Sequence, residues 1–108
     1  MSWDVSLTVD VDGSPIDFGE CFYYTHNTNP MIREAGFREW PYEVDGMLCR
    51  HFCDRLDGTL RVLRSDPERF RAMNPENDWG DYDSLLTVLA DLLDTFDRFP
   101  SATVRMWA

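Results

Sequence analysis

The stretch WDVSLTVDVDG, residues 3–13, places an apolar side chain at every odd position up to residue 11. Because successive side chains of a strand point to opposite faces of a sheet, this period of two predicts a half-buried strand. The residues predicted to face inward are Trp3, Val5, Leu7, Val9 and Val11. The pair Asp12-Gly13 favours the positive φ angles of a tight hairpin turn, so we expect a second strand from Ile16 to Thr25, with a bulge at Gly19.

Helix signals follow the second strand. Asn29-Pro30 predicts the start of a short helix, with Asn29 as its cap, that ends at Gly36. Apolar residues at helical spacing predict a long helix from Asp45 to Arg64. Its inward face would include Leu48, Cys49, Phe52, Cys53, Leu56, Leu60 and Leu63. Gly58 lies inside this helix, where it would mark a kink or a close contact with another helix.

Two more helices and a last strand complete the predicted order. Asp66-Pro67 opens a short helix that ends near Met73, and Asp81 caps a helix that runs to about Phe99. Residues Thr103–Trp107 alternate and are rich in strand formers. The predicted fold is a single α+β domain over residues 1–108, in which a small three-stranded, mainly antiparallel sheet has helices packed on one face.

The net charge of the chain limits the kinds of molecule that it is expected to bind. The 108 residues include twenty acidic residues and ten basic ones, all of which are arginine, so the net charge is −10. Since each contact with a phosphate backbone needs a cation, this composition argues against nucleic-acid binding. It is equally consistent with a solubility device and with a surface that seeks a basic partner.

Compartment and redox state follow from what the sequence lacks. No apolar run approaches the ~20 residues of a membrane span, and the N-terminus does not resemble a signal peptide. We therefore expect a cytoplasmic protein that does not contact a membrane. The three cysteines, Cys21, Cys49 and Cys53, do not suggest a disulfide scaffold. Cys49 and Cys53 belong to the apolar helix face, so no metal site and no cofactor is predicted.

Two polar and aromatic segments form the candidate site. Both are predicted at the N-terminal ends of helices, where free backbone N–H groups can receive an anion or a polar ligand. The candidate ligand-binding residues are Tyr24, His26, Asn27, Asn29, Asn77, Trp79 and Tyr82. The alternative is that these residues are structural, with Asn29 as a cap and Trp79 closing the bottom of the core.

Catalytic motifs are absent from the sequence. It has no Gly-x-Ser-x-Gly elbow, no His-Glu-x-x-His pair and no phosphate-binding glycine loop. Acid–base chemistry would depend on His26, since the pKa of an unperturbed histidine is near neutrality. No catalytic residue is assigned, and an enzyme using His26 is the lesser alternative.

Three segments carry a resemblance to a known group of proteins. They are WDVSL (residues 3–7), YTHNTNPM (residues 24–31) and NPENDWGDY (residues 74–82). Together they resemble an uncharacterised family of small proteins found in genomes of phages that infect actinobacteria. Members of that family often read Asn-Gly-Trp-Gly in the third segment, where this chain has Asp78 in place of the first glycine. The resemblance implies a phage accessory gene from a GC-rich host, which agrees with the absence of lysine.

The sequence thus supports two classes of function. The first is a small acidic phage accessory protein that binds and blocks a host or anti-phage defence protein. The second is a binder of a small, nucleotide-like ligand held between Tyr24–Asn29 and Asn77–Tyr82. The strand Thr103–Trp107 could also pair across a dimer.

Overall fold

The fold is a three-stranded antiparallel sheet with four helices. The structure, a computed structural model, describes residues 2–108. The strand order in the sheet is β2-β1-β3, with β1 in the centre. The elements are β1 (Ser2–Val11), β2 (Ser14–Thr25), a 3₁₀ turn (His26–Thr28), α1 (Asn29–Glu34), α2 (Cys49–Ser65), α3 (Pro67–Arg71), α4 (Tyr82–Phe96) and β3 (Thr103–Trp107). The predicted α+β class is confirmed.

The hairpin between β1 and β2 has the predicted turn and bulge. Asp12 and Gly13 have φ angles of 51° and 86°, and Val11 pairs with Ser14 across the turn. The register then shifts between the Val5–Phe22 and Leu7–Phe18 pairs. Gly19, with a φ angle of 74°, lies in this shift. The bulge therefore occurs where glycine relieves the strain of a left-handed backbone.

The inward face of β1 is shorter than predicted. Trp3, Val5 and Leu7 are buried, but Val9 and Val11 are 38% and 51% exposed, so their expected burial is wrong. Every residue from 9 to 17 is exposed, because the helices cover only the first part of the hairpin. We call residues 9–17 the hairpin arm. The molecule is accordingly elongated, with extents of 48 × 26 × 20 Å.

Aromatic contacts hold the sheet to the helices. Trp3 meets Trp40 edge to face, with 4.8 Å between ring centroids, and Trp40 packs on Phe37 and Phe52. Trp40 also donates from Nε1 to Oδ1 of the buried Asn29, at 2.9 Å. The loop after α1 is therefore part of the core.

The segment before α2 differs from the prediction. The helix begins at Cys49 and not at Asp45, because residues 45–48 run along β3. The Val104 N–H donates to the Met47 carbonyl, and the Val104 carbonyl accepts from the Gly46 N–H, both at 2.8 Å. The Met106 N–H donates to Asp45 Oδ1. Leu48 is exposed in this arrangement, contrary to expectation. A dimer formed through β3 would have to displace this segment.

Helix ends and lengths complete the comparison. α4 ends at Phe96, three residues before the predicted Phe99. α2 continues through Gly58 without a break, and a Cβ at that position would meet no atom within 4 Å. Gly58 marks neither a kink nor a close contact. Within residues 2–108, no helix has both the length and the apolar character needed to cross a bilayer.

Replacing Gly58 by alanine should stabilise the protein. Gly58 is exposed, helical and in open space, so alanine lowers the entropy of the unfolded chain and improves helix propensity. We expect Gly58→Ala to raise the free energy of unfolding by about 1 kcal/mol in urea titrations. Gly36→Ala is the control, because it is equally uncrowded but has a φ angle of 114°. Gly36→Ala should lose stability, and a loss in both variants would contradict this account of Gly58.

Candidate functional site

The two predicted site segments meet in the fold. Gly80, at a φ angle of 88°, lies so close to Thr25 that a Cβ on it would be 2.5 Å from Thr25 Cγ2. Asn27 Nδ2 donates to the Trp79 carbonyl at 3.3 Å. The end of β2 and the loop before α4 therefore form one continuous junction. A residue with a side chain could not replace Gly80 without separating them.

A closed set of hydrogen bonds fastens this junction to the first turn of α4. The Asp81 N–H donates to Tyr24 Oη at 3.2 Å, and Tyr24 Oη lies 2.6 Å from Ser84 Oγ. Ser84 Oγ donates to Asp81 Oδ1 at 2.7 Å, so the Tyr24 hydroxyl is the donor to Ser84. Within the ring, each of the three residues donates one hydrogen bond and accepts another, Asp81 through its N–H and its carboxylate respectively. Tyr24 is thereby a fixed part of the site.

An open groove lies beside the junction. Its volume is about 440 Å³ and its lining residues are Ser2, Tyr23, Tyr24, Thr25, Trp79 and Gly80. Tyr23 and Trp79 are 72% and 66% exposed, so both rings are accessible. Trp79 does not close the bottom of the core, which was the alternative reading of this residue. Of the predicted residues, Tyr24 and Trp79 line the groove directly.

The loop that presents Trp79 is shaped by its own side chains. Asn77 Oδ1 accepts from the Trp79 N–H at 3.1 Å, which forms a local turn. Asp78 has a φ angle of 59°, a left-handed conformation that aspartate tolerates better than most residues. Asn77 thus supports the groove without lining it.

Three predicted residues lie away from the groove. Asn29 is buried and accepts from Trp40, so it does not cap its helix as expected. Tyr82 is buried, and its hydroxyl donates to the Leu63 carbonyl at 2.6 Å. His26 Nε2 is buried, and within residues 2–108 it makes no hydrogen bond. The polar groups of Asn29 and Tyr82 are used inside the core and are not available to a ligand.

The helix N-termini are not free to bind an anion. The first turn of α4 already holds the Asp81 carboxylate, which accepts from the Ser84 N–H at 2.7 Å, while the Tyr82 N–H donates to Asn74 Oδ1. Hydrogen bonds from the Ser84 backbone and hydroxyl lower the pKa of Asp81, so this cap is an anion at neutral pH. α1 is only six residues long and has a proline in its first turn. The N–H groups of Asp81, Tyr82 and Ser84 are thus already used and cannot receive the anion or polar ligand expected at α4.

The helix cysteines lie in the core, as predicted. Cys49 and Cys53 are buried, with their Sγ atoms 3.9 Å apart, and Cys49 donates to the Phe96 carbonyl. The hydrogen bond with Cys49 and burial raise the pKa of the Cys53 thiol. In the described part of the chain, no three His, Cys, Asp or Glu side chains are placed to hold a metal ion.

Three contributors were missed by the sequence reasoning. The exposure of Tyr23 could have been predicted from the alternation of side chains along a strand, since Tyr24 faces inward beside Trp3 and its neighbour must face outward. Gly80 was read as part of a loop, although an isolated glycine can mark a close backbone approach. Ser84 gave no signal, because its role depends on Tyr24, sixty residues earlier in the chain.

Comparison of the chain with protein-family models, curated proteins and solved structures gives no match.

Replacing Gly80 by alanine should open the junction. The new methyl group would clash with Thr25 and hold a left-handed backbone, which alone costs about 1–2 kcal/mol. Gly46→Ala is the control, because Gly46 has nearly the same φ angle, 87°, but no neighbour within 4 Å. In urea titrations Gly80→Ala should lose clearly more stability than Gly46→Ala. Equal losses would mean that the contact with Thr25 is not tight.

Replacing Asp81 by alanine should cost about 1 kcal/mol of unfolding free energy at pH 7, because the helix loses its cap. The pKa of Asp81 is lowered from its ordinary value of 3.8, so the stabilisation is complete above that pH and is lost as the pH falls through the lower folded value. Urea titrations from pH 7 to pH 2.5 should therefore show wild type and Asp81→Ala converging. The control is Asp91→Ala, an exposed carboxylate in the middle of α4, which should show no such loss at pH 7.

Proposed function

We propose that this protein acts by binding another protein and carries out no chemistry of its own. In the setting that the resemblance suggests, it is a phage accessory protein and its partner is a host or anti-phage defence protein that it blocks. The observation that carries this proposal is the hairpin arm, which combines exposed apolar side chains with acidic charge.

The apolar part of the arm forms one patch. Val9 pairs directly with Ile16 across the two strands, and both lie on the same face as the buried Leu7. Val11 is two residues further along that face. The patch thus continues the core face of the sheet beyond the helices, where no other part of residues 2–108 covers it. An apolar strand face of this kind gains free energy when a partner removes it from water.

The charge of the hairpin has one sign. Residues 2–25 contain no arginine or histidine, and their acidic residues are Asp4, Asp10, Asp12, Asp17 and Glu20. Elsewhere six arginines form ion pairs with six carboxylates, among the residues that the structure describes. This leaves 20 − 6 = 14 acidic against 10 − 6 = 4 basic residues without such a pair. The negative field is therefore not cancelled locally.

These two properties define the partner by its chemistry. It would present an apolar surface with arginine or lysine at its rim, so that the rim meets Asp10, Asp12 and Asp17. Complementary charge would speed the encounter and fix the orientation, and burial of the apolar patch would slow dissociation. A blocking protein needs this combination, because it must stay bound in competition with the natural ligand of its target.

Binding of a small ligand is the second candidate function. The specific observation in its favour is that the Tyr24–Asn29 and Asn77–Tyr82 segments meet and border a groove of about 440 Å³. An enzymatic function through His26 has less support, because no hydrogen bond to Nε2 orients the ring within residues 2–108.

The test of the hairpin arm begins with a partner captured by the tagged protein and identified by mass spectrometry. The double variant Val9→Thr/Ile16→Thr keeps strand propensity but removes apolar surface, and should weaken binding about tenfold. Val62→Thr is the matched control, since Val62 and Val9 are both 38% exposed. Affinities would be measured by calorimetry with the purified partner.

A charge variant completes the experiment. Asp10→Asn/Asp12→Asn/Asp17→Asn should lower the association rate and flatten its dependence on salt. The control changes three exposed carboxylates outside the hairpin: Asp54, Asp66 and Asp91 to asparagine. Wild-type binding by the hairpin variants, or equal losses in the controls, would refute the arm as the contact surface.

A further inference from the structure

Tyr23 and Trp79 are the two largely exposed aromatic rings that line the groove. Arginine guanidinium groups lie over Phe37, Phe70 and Tyr82, at 5.5, 4.9 and 5.1 Å from the ring centroids. These groups belong to Arg55, Arg69 and Arg71, respectively. Within residues 2–108, no guanidinium covers Tyr23 or Trp79, although both rings are largely exposed. Two aromatic faces of the groove are therefore accessible to a ligand.

The charge around the groove selects a cation. None of the groove-lining residues is basic. Asp4 of β1 pairs directly with Tyr23 of β2. In the loop before α4, Asp78 precedes Trp79-Gly80 and Asp81 follows it. Asp81 is held as an anion by the first turn of α4. These carboxylates do not line the groove, but they belong to residues next to its lining, and no basic lining residue offsets their charge. A phosphate in the groove would therefore have no counter-charge, whereas a cation would be attracted by the rings and by the nearby negative charge.

We propose that the groove between Tyr23 and Trp79 binds an arginine side chain of a protein partner. The planar guanidinium group would stack on the exposed rings, and its N–H groups would point towards the carboxylates. The inference rests on the proposed function for its protein partner, and it replaces the nucleotide-like ligand expected from the sequence. The groove and the hairpin arm would then be two contact points for one basic surface.

Arginine fits this groove better than lysine for a physical reason. The ammonium group of lysine is compact and strongly hydrated, so covering it with aromatic rings removes more of its hydration. A guanidinium group is flat and weakly hydrated on its faces. Stacking therefore leaves its edge free for hydrogen bonds.

The experiment needs no natural partner. The ¹⁵N-labelled protein would be titrated with the peptide N-acetyl-Gly-Arg-Gly-amide and followed by ¹H–¹⁵N spectra. Shifts should be concentrated at the Trp79 indole and at the amides of the groove-lining residues Tyr23, Thr25 and Gly80, with the buried Trp3 and Trp40 indoles unmoved. The same peptide with citrulline, a neutral isostere of arginine, should bind about tenfold more weakly, and the lysine peptide should lie between the two.

Three variants test the location of the site. Tyr23→Ala and Trp79→Ala should each weaken binding of the arginine peptide about two- to fivefold, the size of an exposed cation–π contact. Tyr42→Ala is the matched control, because Tyr42 and Tyr23 are both 72% exposed, and it should leave the affinity unchanged.

Four results would overturn the proposal. They are equal binding of the citrulline peptide, equal binding of the lysine peptide, no change in Tyr23→Ala and Trp79→Ala, and tighter binding of adenosine monophosphate than of the arginine peptide. Val9→Thr/Ile16→Thr, which alters the hairpin arm, should leave the peptide affinity unchanged. Failure of the groove and failure of the arm are therefore separate outcomes.

Discussion

The contact between Trp3 and Trp40 is the interaction on which the rest of the structure depends. Trp3 lies on the central strand, and its edge-to-face packing with Trp40 ties the sheet to the loop after α1. The hydrogen bond from Trp40 to Asn29 then fixes the start of α1 from inside the core. Because a buried amide oxygen without a partner is costly, this bond also fixes the direction in which the chain leaves β2. The turn that borders the groove is positioned by this pair.

The junction beside the groove joins the end of β2 to the loop before α4. Gly80 lets the loop before α4 approach Thr25 at a distance that no side chain permits. The hydrogen-bonded ring of Tyr24, Asp81 and Ser84 then joins the sheet to α4. The same carboxylate caps the helix and supplies negative charge near the groove. One residue, Asp81, thus caps α4 and, in the proposed arginine site, adds to the negative charge near the groove.

Charge and shape both support the proposed function as a binding protein. The helices shield one part of the sheet, and the hairpin arm extends beyond them with apolar side chains between carboxylates. A two-stranded hairpin has little stability of its own. The hairpin arm therefore depends on the buried part of β1, with which it is continuous. This arrangement presents an acidic and partly apolar surface without requiring a large protein. A surface of that kind suits a small binder of basic partners.

The sequence by itself determined the order of elements, the turn at Asp12-Gly13, the bulge at Gly19 and the cap at Asp81. Each depends on residues close together in the chain, through strand alternation, backbone preference or helix capping. Only the tertiary structure decided which apolar residues are covered, as the exposure of Val9 shows. It also decided that Asn29 serves Trp40 and that Tyr24 meets Ser84, because such contacts depend on packing between distant segments. Local physics sets the elements, and long-range packing sets the site.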